Sequence, residues 1–377
     1  MEVTTSTVSK PDDVQLIHLT PPDPDVGQLI SREFRNAFEE ILQILIVIIN
    51  LFGVVSNSIN IRVFVRQGVM SDTTTIGLFA LAISDLLGCF FMLPPTVCFL
   101  IKYLRLGTYV DFRNCHSYTA MAGHYTHVMF SRITCWLTVY ISIERSLCVL
   151  IPLKIKFLLR PALTKKVVIL IYTFWVIFHI PYAVNTRIVP EYSEVYNRTM
   201  AFVRETPLAP LFLKINVIVA STILTTVAMV LVAITTFILI FKLKTTSKWR
   251  QSVSSAPIST ASDPGSGVPF SSSSSSSKAA SGKEKEVMVT VTTITTIYLG
   301  TLVGSHIPAI ALVSLPGVTL AGSNSNLFYI TYYTKFFMDS INSSVNIIMY
   351  LKFSSRYKAA FNSIYFPEKV EGKGNWH

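Results

Sequence analysis

Ionisable and amide side chains recur inside long apolar stretches of this 377-residue chain, where each is costly and is either functional or paired. Glu144-Arg145-Ser146 closes one such stretch, and its carboxylate and guanidinium can form and break an ion pair. Leu81-Ala82-Ile83-Ser84-Asp85 places a carboxylate in the middle of another, with Asn57 at a similar depth and Asn342-Ser343-Ser344-Val345-Asn346 supplying amides and hydroxyls. Arg132 lies thirteen residues before Arg145, about 20 Å away along a helix. A buried guanidinium can grip a carboxylate through two parallel hydrogen bonds, either a ligand's or that of Asp339. His124 and His127 lie one to two turns further along, where a lone histidine is more often a packing residue than a ligand. This chemistry is binding and charge switching. No nucleophile stands beside a base and no zinc-type spacing is present, so nothing in the residues argues for an enzyme.

Seven apolar stretches position these groups: Ile41–Val65, Ile76–Ile101, Ala120–Val149, Val167–Val184, Leu208–Phe241, Val287–Leu315 and Leu327–Leu351. Each is about as long as, or longer than, the roughly 20 residues a helix needs to span a bilayer. The fold expected is an all-α membrane protein, a seven-transmembrane helix bundle. Phe353, Tyr357 and Phe361 recur every four residues beside Lys352, Arg356 and Lys358, which predicts a short amphipathic C-terminal helix on the inner leaflet. The organisation is then a tail over 1–40, the bundle over 41–351, and the amphipathic helix with a short tail over 352–377.

Basic residues mark every second connection. Arg62 and Arg66 follow the first stretch; Lys154, Lys156, Arg160, Lys165 and Lys166 the third; Lys242 to Arg250 and Lys278 to Lys285 the fifth; Lys352, Arg356 and Lys358 the seventh. By the positive-inside bias these gaps are cytoplasmic. Residues 1–40 carry three basic against eight acidic residues, so the N-terminus is expected outside, although Lys102, Arg105 and Arg113 in the first outer loop run against the trend. Met1–Gln28 is polar and holds Pro21, Pro22 and Pro24, leaving no apolar core for a signal peptide; the first span would serve as the insertion signal. The net charge of +11 is spread over the inner loops without interleaved aromatics, which fits anionic lipid and topology rather than nucleic acid. Hydrophobic residues make up 51% and charged ones 14%, a composition that excludes an ordinary water-soluble globule. Thr245–Gly282, dense in Ser with the run Ser271–Ser277, is expected to be a disordered cytoplasmic loop, either a plain linker or a kinase target.

Taken in order along seven spans, Asn57, Asp85, Glu144-Arg145-Ser146, Trp175, Pro308 and Asn346-Ile347-Ile348-Met349-Tyr350 resemble the rhodopsin-like G-protein-coupled receptors over roughly Ile41–Phe361. Glu144-Arg145-Ser146 is similar to the family's Asp/Glu-Arg-Tyr motif apart from its last residue, and Asn346 to Tyr350 match Asn-Pro-x-x-Tyr with Ile347 in place of Pro. The resemblance implies that Glu144 holds Arg145 at rest and releases it toward a G protein and Tyr350 on activation. It also implies a polar site of Asp85, Thr134, Asn342, Ser343 and Asn346 that could hold a sodium ion, with interhelical hydrogen bonding as the plainer alternative. Partners implied are a heterotrimeric G protein, receptor kinases and arrestin, and the lipid bilayer.

Departures from the family pattern are specific. His306 stands where a Trp switch is usual, next to Pro308. The fifth span lacks a central Pro, which leaves its inner bulge in question. The second outer loop, Arg187–Thr206, has no cysteine, and Ala120 occupies the usual partner position. Of the five cysteines, Cys89, Cys135 and Cys148 read as packed thiols, while Cys98 and Cys115 flank the first outer loop, where a local bridge is geometrically open to them. Asn197-Arg198-Thr199 is a glycosylation sequon in an outer loop. His127 in place of an outer Asp disfavours monoamines, and Lys335 lies too far out for a retinal Schiff base. The candidate ligand pocket comprises Arg132, His127, Ser131, His124, Asp339 and Lys335. Phe130-Ser131-Arg132-Ile133-Thr134, Leu147-Cys148-Val149 and Val63 to Gly68 are similar to gastropod chemosensory receptors, relatives of invertebrate peptide receptors. The resemblance implies a receptor for a water-borne small molecule or a peptide. The competing class is a seven-span transporter or channel, which the absence of inverted repeats disfavours.

Overall fold

The computed structural model describes residues 28–69, 72–151, 159–254, 273–319 and 322–367. Its first three helices begin where polar side chains satisfy the free N–H groups of a first turn. Ser31 accepts from Phe34 N at 3.2 Å ahead of α1, Arg32–Gln67. Asp72 accepts from Thr75 N at 2.7 Å ahead of α2, Thr73–Tyr103. Thr108 and Asp111 form a reciprocal capping box on α3, Tyr109–Leu150. The fourth span is α4, Pro161–Val184. The fifth is a continuous rod of α5 (Ala209–Ile215), a π-helical stretch (Asn216–Leu224) and α6 (Thr225–Ser254). The sixth is α7, Ser273–Ser314.

The seventh span is broken at Val345 into α8, Ser325–Ser344, and α9, Asn346–Phe353. Six helices among the described residues are long and apolar enough to cross a membrane. The seventh carries Lys335, Asp339 and a run of amides and hydroxyls, and these polar groups turn inward: Ser340, Ser343, Ser344 and Asn346 are buried. Large apolar side chains instead face outward on the peripheral helices, among them Ile48, Leu51 and Val55 on α1, Ile169, Leu170 and Ile177 on α4, and Ile234 and Phe237 on α6. An apolar surface of that extent is untenable in water and is what hydrocarbon requires. The protein is a multi-pass seven-helix membrane bundle. Buried Leu81, Ile133, Leu137, Trp175, Val291 and Tyr350 join its core around α3.

Several expectations are revised. Helix α1 starts at Arg32 and α3 at Tyr109, so the spans project beyond their apolar cores, and residues 1–27 of the expected tail lie outside the described residues. The backbone is helical up to Ser254 and again from Ser273, so the expected loop over 245–282 is helical at both ends. Extending a formed helix needs no new nucleus; residues 255–272 lie outside the described residues. The fifth span does bulge, without proline: Thr222 and Thr225 donate their hydroxyls to the carbonyls of Val217 and Ala220, five residues back, at 3.1 and 2.9 Å.

The second outer loop is also more ordered than its sequence suggests. Strands β1, Thr186–Ser193, and β2, Arg198–Glu205, pair antiparallel. Asn114, on the first turns of α3, lies on the outer edge of β2, donating to Thr199 O at 3.1 Å and accepting from Ala201 N at 2.7 Å. Its neighbour Cys115 is bonded to Cys98 at the end of α2. A local disulfide therefore fixes the start of α3, and the adjacent Asn114 holds the hairpin in a chain that lacks the cysteines for the family's usual bridge there. At the opposite, basic end, α10, Ser355–Tyr365, is the predicted amphipathic helix. Tyr357 is buried against Phe64 and Tyr350, and Arg356 donates to Asp72 at 2.8 Å. Burial works to raise the Asp72 carboxyl, but the bonds from Thr75 and Arg356 outweigh it and hold it below its ordinary 3.8.

Candidate functional site

Three polar layers follow one another down the bundle. The first surrounds a small cavity of about 40 Å³ between α3 and the fifth, sixth and seventh spans, room for roughly three waters. Ser131, Arg132, Ser221, Thr225, Thr301, Ser305, His306, Lys335, Asp339 and Asn342 line it, with Cys135, Tyr298 and Leu302 as the apolar wall.

Arg132 is buried, and its partner differs from the internal alternative raised by the sequence. Asp339 is ion-paired with Lys335, one turn earlier on the same helix. The guanidinium instead bonds two neutral groups: Nη1 to His179 Nε2 at 3.1 Å and Nη2 to Ser221 Oγ at 2.7 Å. It also sits 5.6 Å from the Trp175 ring, a cation–π contact. His179 Nδ1 lies 2.8 Å from the Trp175 carbonyl, which fixes the tautomer: Nδ1–H donates there and Nε2 accepts from Arg132. Trp175 and His179 are one turn apart and so share a face, the signal in the sequence that could have found this arrangement. The π-helical stretch supplies Ser221, which no motif foretold.

Of the expected pocket residues, Ser131, Arg132, Lys335 and Asp339 meet at the cavity. His124 and His127 do not line it; they pack on Phe336, with ring centroids at 4.7 and 5.6 Å, and His127 Nδ1 bonds Gly88 O at 2.9 Å. His306 does reach the cavity, with Nε2 2.9 Å from Thr226 Oγ1. The backbone at Pro308 is part of α7; its side chain lies outside the described residues.

The second layer is centred on Asp85. Thr134 Oγ1 donates to Oδ1 at 2.7 Å and Asn346 Nδ2 to Oδ2 at 2.8 Å, and Ser343 bonds the same carboxylate. Asn342 turns away, accepting from Thr301 at 3.4 Å. Four of the five expected oxygen-bearing residues are thus together, but as donors closed around a carboxylate, with Asn346 presenting its N–H. The hydrogen bonds join α2, α3 and the seventh span at this depth. The layer continues through Asn57, which donates to Ser343 O at 2.7 Å, and Asn60, which links Asn57 to the Tyr357 hydroxyl. It therefore runs from the middle of the bundle to α10.

The third layer lies at the basic end. Arg145 is ion-paired with Glu144, whose carboxylate also accepts from Thr73 at the start of α2. Ser146 donates to Thr235 O at 3.2 Å, tying α3 to the fifth span. Tyr350 is buried among Phe64 and Tyr357, with ring centroids at 5.4 and 5.2 Å, and stays with that aromatic cluster. Asn197 is exposed at the tip of the hairpin with φ of 49°, a backbone region that Asn tolerates better than most residues.

No curated protein matches the chain. The family model described as serpentine type 7TM GPCR chemoreceptor Srw matches residues 44–367, from within the first span through α10. The match bears out the seven-span receptor architecture and chemoreception, without singling out the rhodopsin-like class or the gastropod receptors. The polar layers inside seven helices and the family match agree, and the chain belongs to the Srw family of serpentine 7TM GPCR chemoreceptors.

Proposed function

We propose that this chemoreceptor sits in the plasma membrane with its N-terminus outside, takes an extracellular signal in the cavity layer, and activates a heterotrimeric G protein through Arg145. The observation that carries the reading is the Glu144–Arg145 ion pair at the end of α3, on the side where the basic connections gather. One partner of such a pair, once exchanged for another, gives a two-state element. The Asp85 layer lies between cavity and ion pair and reaches α10 through Asn57, Asn60 and Tyr357. Asn197 on the hairpin is the proposed glycosylation site, and the Ser-rich segment after α6 the proposed substrate of receptor kinases, with arrestin as the reader.

G-protein activation in cells expressing the chain, challenged with pools of small metabolites and of peptides, tests this reading. A response that disappears in surface-expressed Arg145→Ala supports it. Ligand-evoked solute flux without G-protein activation would support a transporter or channel instead.

A further inference from the structure

The cavity layer carries an unbalanced charge. Lys335 and Asp339 are ion-paired, whereas Arg132, 7% exposed, bonds only the neutral His179 and Ser221 and faces Trp175, with the charge of Asp339 acting on it from beyond contact. No carboxylate among the described residues is ion-paired with it. A buried cation without an anion is destabilising, and a cation–π contact offsets only about 2 kcal/mol of that. A second group is also unsatisfied: His306 Nδ1 is buried with no hydrogen-bond partner, in a residue only 4% exposed that lines the same cavity.

Building on the receptor reading, we infer that the cavity between α3, the π-helical stretch, α7 and α8 is the binding site of a compact organic monocarboxylate, anchored on Arg132. One negative charge brings the layer to neutrality, whereas a dianion overshoots. A guanidinium has five N–H donors, of which two are used in the hydrogen bonds to His179 and Ser221, and it matches a carboxylate in bidentate fashion. The Ser131 hydroxyl can donate to a ligand oxygen, while those of Thr225, Thr301 and Ser305, whose protons go to the carbonyls of Ala220, Tyr298 and Leu302, keep lone pairs that accept from a ligand hydroxyl; a short hydroxy acid suits this lining, with Cys135, Tyr298 and Leu302 over its carbons. The cavity is small, with about 40 Å³ open to the centre of a water-sized sphere, which suits a compact acid better than a peptide. An amino acid is disfavoured, because its ammonium would need Asp339, which Lys335 already holds.

The test is thermal stabilisation of the purified full-length receptor by propionate and lactate, with propionamide, succinate and alanine as comparisons. This readout does not pass through a G protein, so it fails or succeeds independently of the coupling reading. Propionate and lactate are expected to raise the melting temperature saturably while propionamide leaves it unchanged. Arg132→Lys keeps the charge but loses the fork and should weaken binding on the order of tenfold to a hundredfold. Ser131→Ala, a milder change in the lining, should weaken lactate more than propionate. Absence of stabilisation by either acid on a folded, monodisperse receptor overturns the inference. Equal stabilisation by propionamide, a preference for succinate or alanine, or full binding by Arg132→Lys overturns it as well.

Discussion

Replacing Asn114 by Ala should loosen the outer hairpin without disturbing the bundle. The side chain of Asn114 serves one edge of β2 twice, accepting from Ala201 N at 2.7 Å and donating to Thr199 O at 3.1 Å. Thr199 is exposed, and its carbonyl can turn to water once the amide is gone. Ala201 is 2% exposed, and its N–H points off the outer edge of β2 toward α3 rather than toward β1, so it is left buried and unpaired. An orphaned buried donor costs about 1–3 kcal/mol, which raises the population of undocked hairpin by a factor of roughly 5 to 150. Hydrogen–deuterium exchange of the segment around Ala201 in detergent-solubilised receptor reads this directly, because exchange follows the opening free energy. Asn114→Asp keeps the acceptor for Ala201 N and loses the donor to Thr199, so its effect should be small. Unchanged exchange around Ala201 in Asn114→Ala would refute the reasoning and transfer the docking to Arg198, Asp111 and the Cys98–Cys115 bond.

Three further outcomes are expected. Glu144→Gln removes the charge that holds Arg145 while keeping an oxygen for Thr73, so ligand-free G-protein activation should rise on the order of tenfold, as a charge-assisted bond worth about 1.5–3 kcal/mol is lost; unchanged basal activity at equal surface expression would show that the pair is not the resting lock. Asp72→Asn should release α10, seen as faster exchange of 355–365; because the folded Asp72 carboxyl lies below its ordinary 3.8, its stabilising effect is complete above that value and is lost only as pH falls through the lower folded one, so docking of α10 should not vary between about pH 5 and 8. Asn197→Gln should abolish a glycosidase-sensitive mobility shift of the chain, and a wild-type chain that carries no glycan in a glycosylating cell would count against an outer location of the hairpin.

What the sequence made legible is what hydropathy and charge encode. The spans, their basic connections, the adjacent Glu144 and Arg145 and the amphipathic α10 follow from side-chain type and spacing over one or two turns, whereas the cluster on Asp85, whose partners Thr134 and Asn346 lie in other spans, came with the family resemblance. The Lys335–Asp339 pair was equally readable, since a cation and an acid four residues apart on a helix face each other, but the attraction of Arg132 for the same carboxylate obscured it. The hairpin was not readable, because Pro190 interrupts the strand pattern and the turn around Asn197 lacks glycine, so its order comes from contacts with α3. The π-helical stretch escaped for a related reason: Thr222 and Thr225 produce it through five-back hydrogen bonds, which residue type alone does not distinguish from ordinary helical Thr. Long-range partnership decided Arg132, whose acceptors His179 and Ser221 lie in two other spans, 47 and 89 residues away.

Guanine-nucleotide exchange on purified heterotrimeric G protein, catalysed by the receptor reconstituted in lipid nanodiscs, tests the central claim most directly. The account predicts exchange above the empty-nanodisc rate, increased by Glu144→Gln and abolished by Arg145→Ala while the variant remains folded. Exchange that is the same with wild type, Arg145→Ala and empty nanodiscs across the G-protein classes, in the presence of ligand that stabilises the receptor, would contradict it.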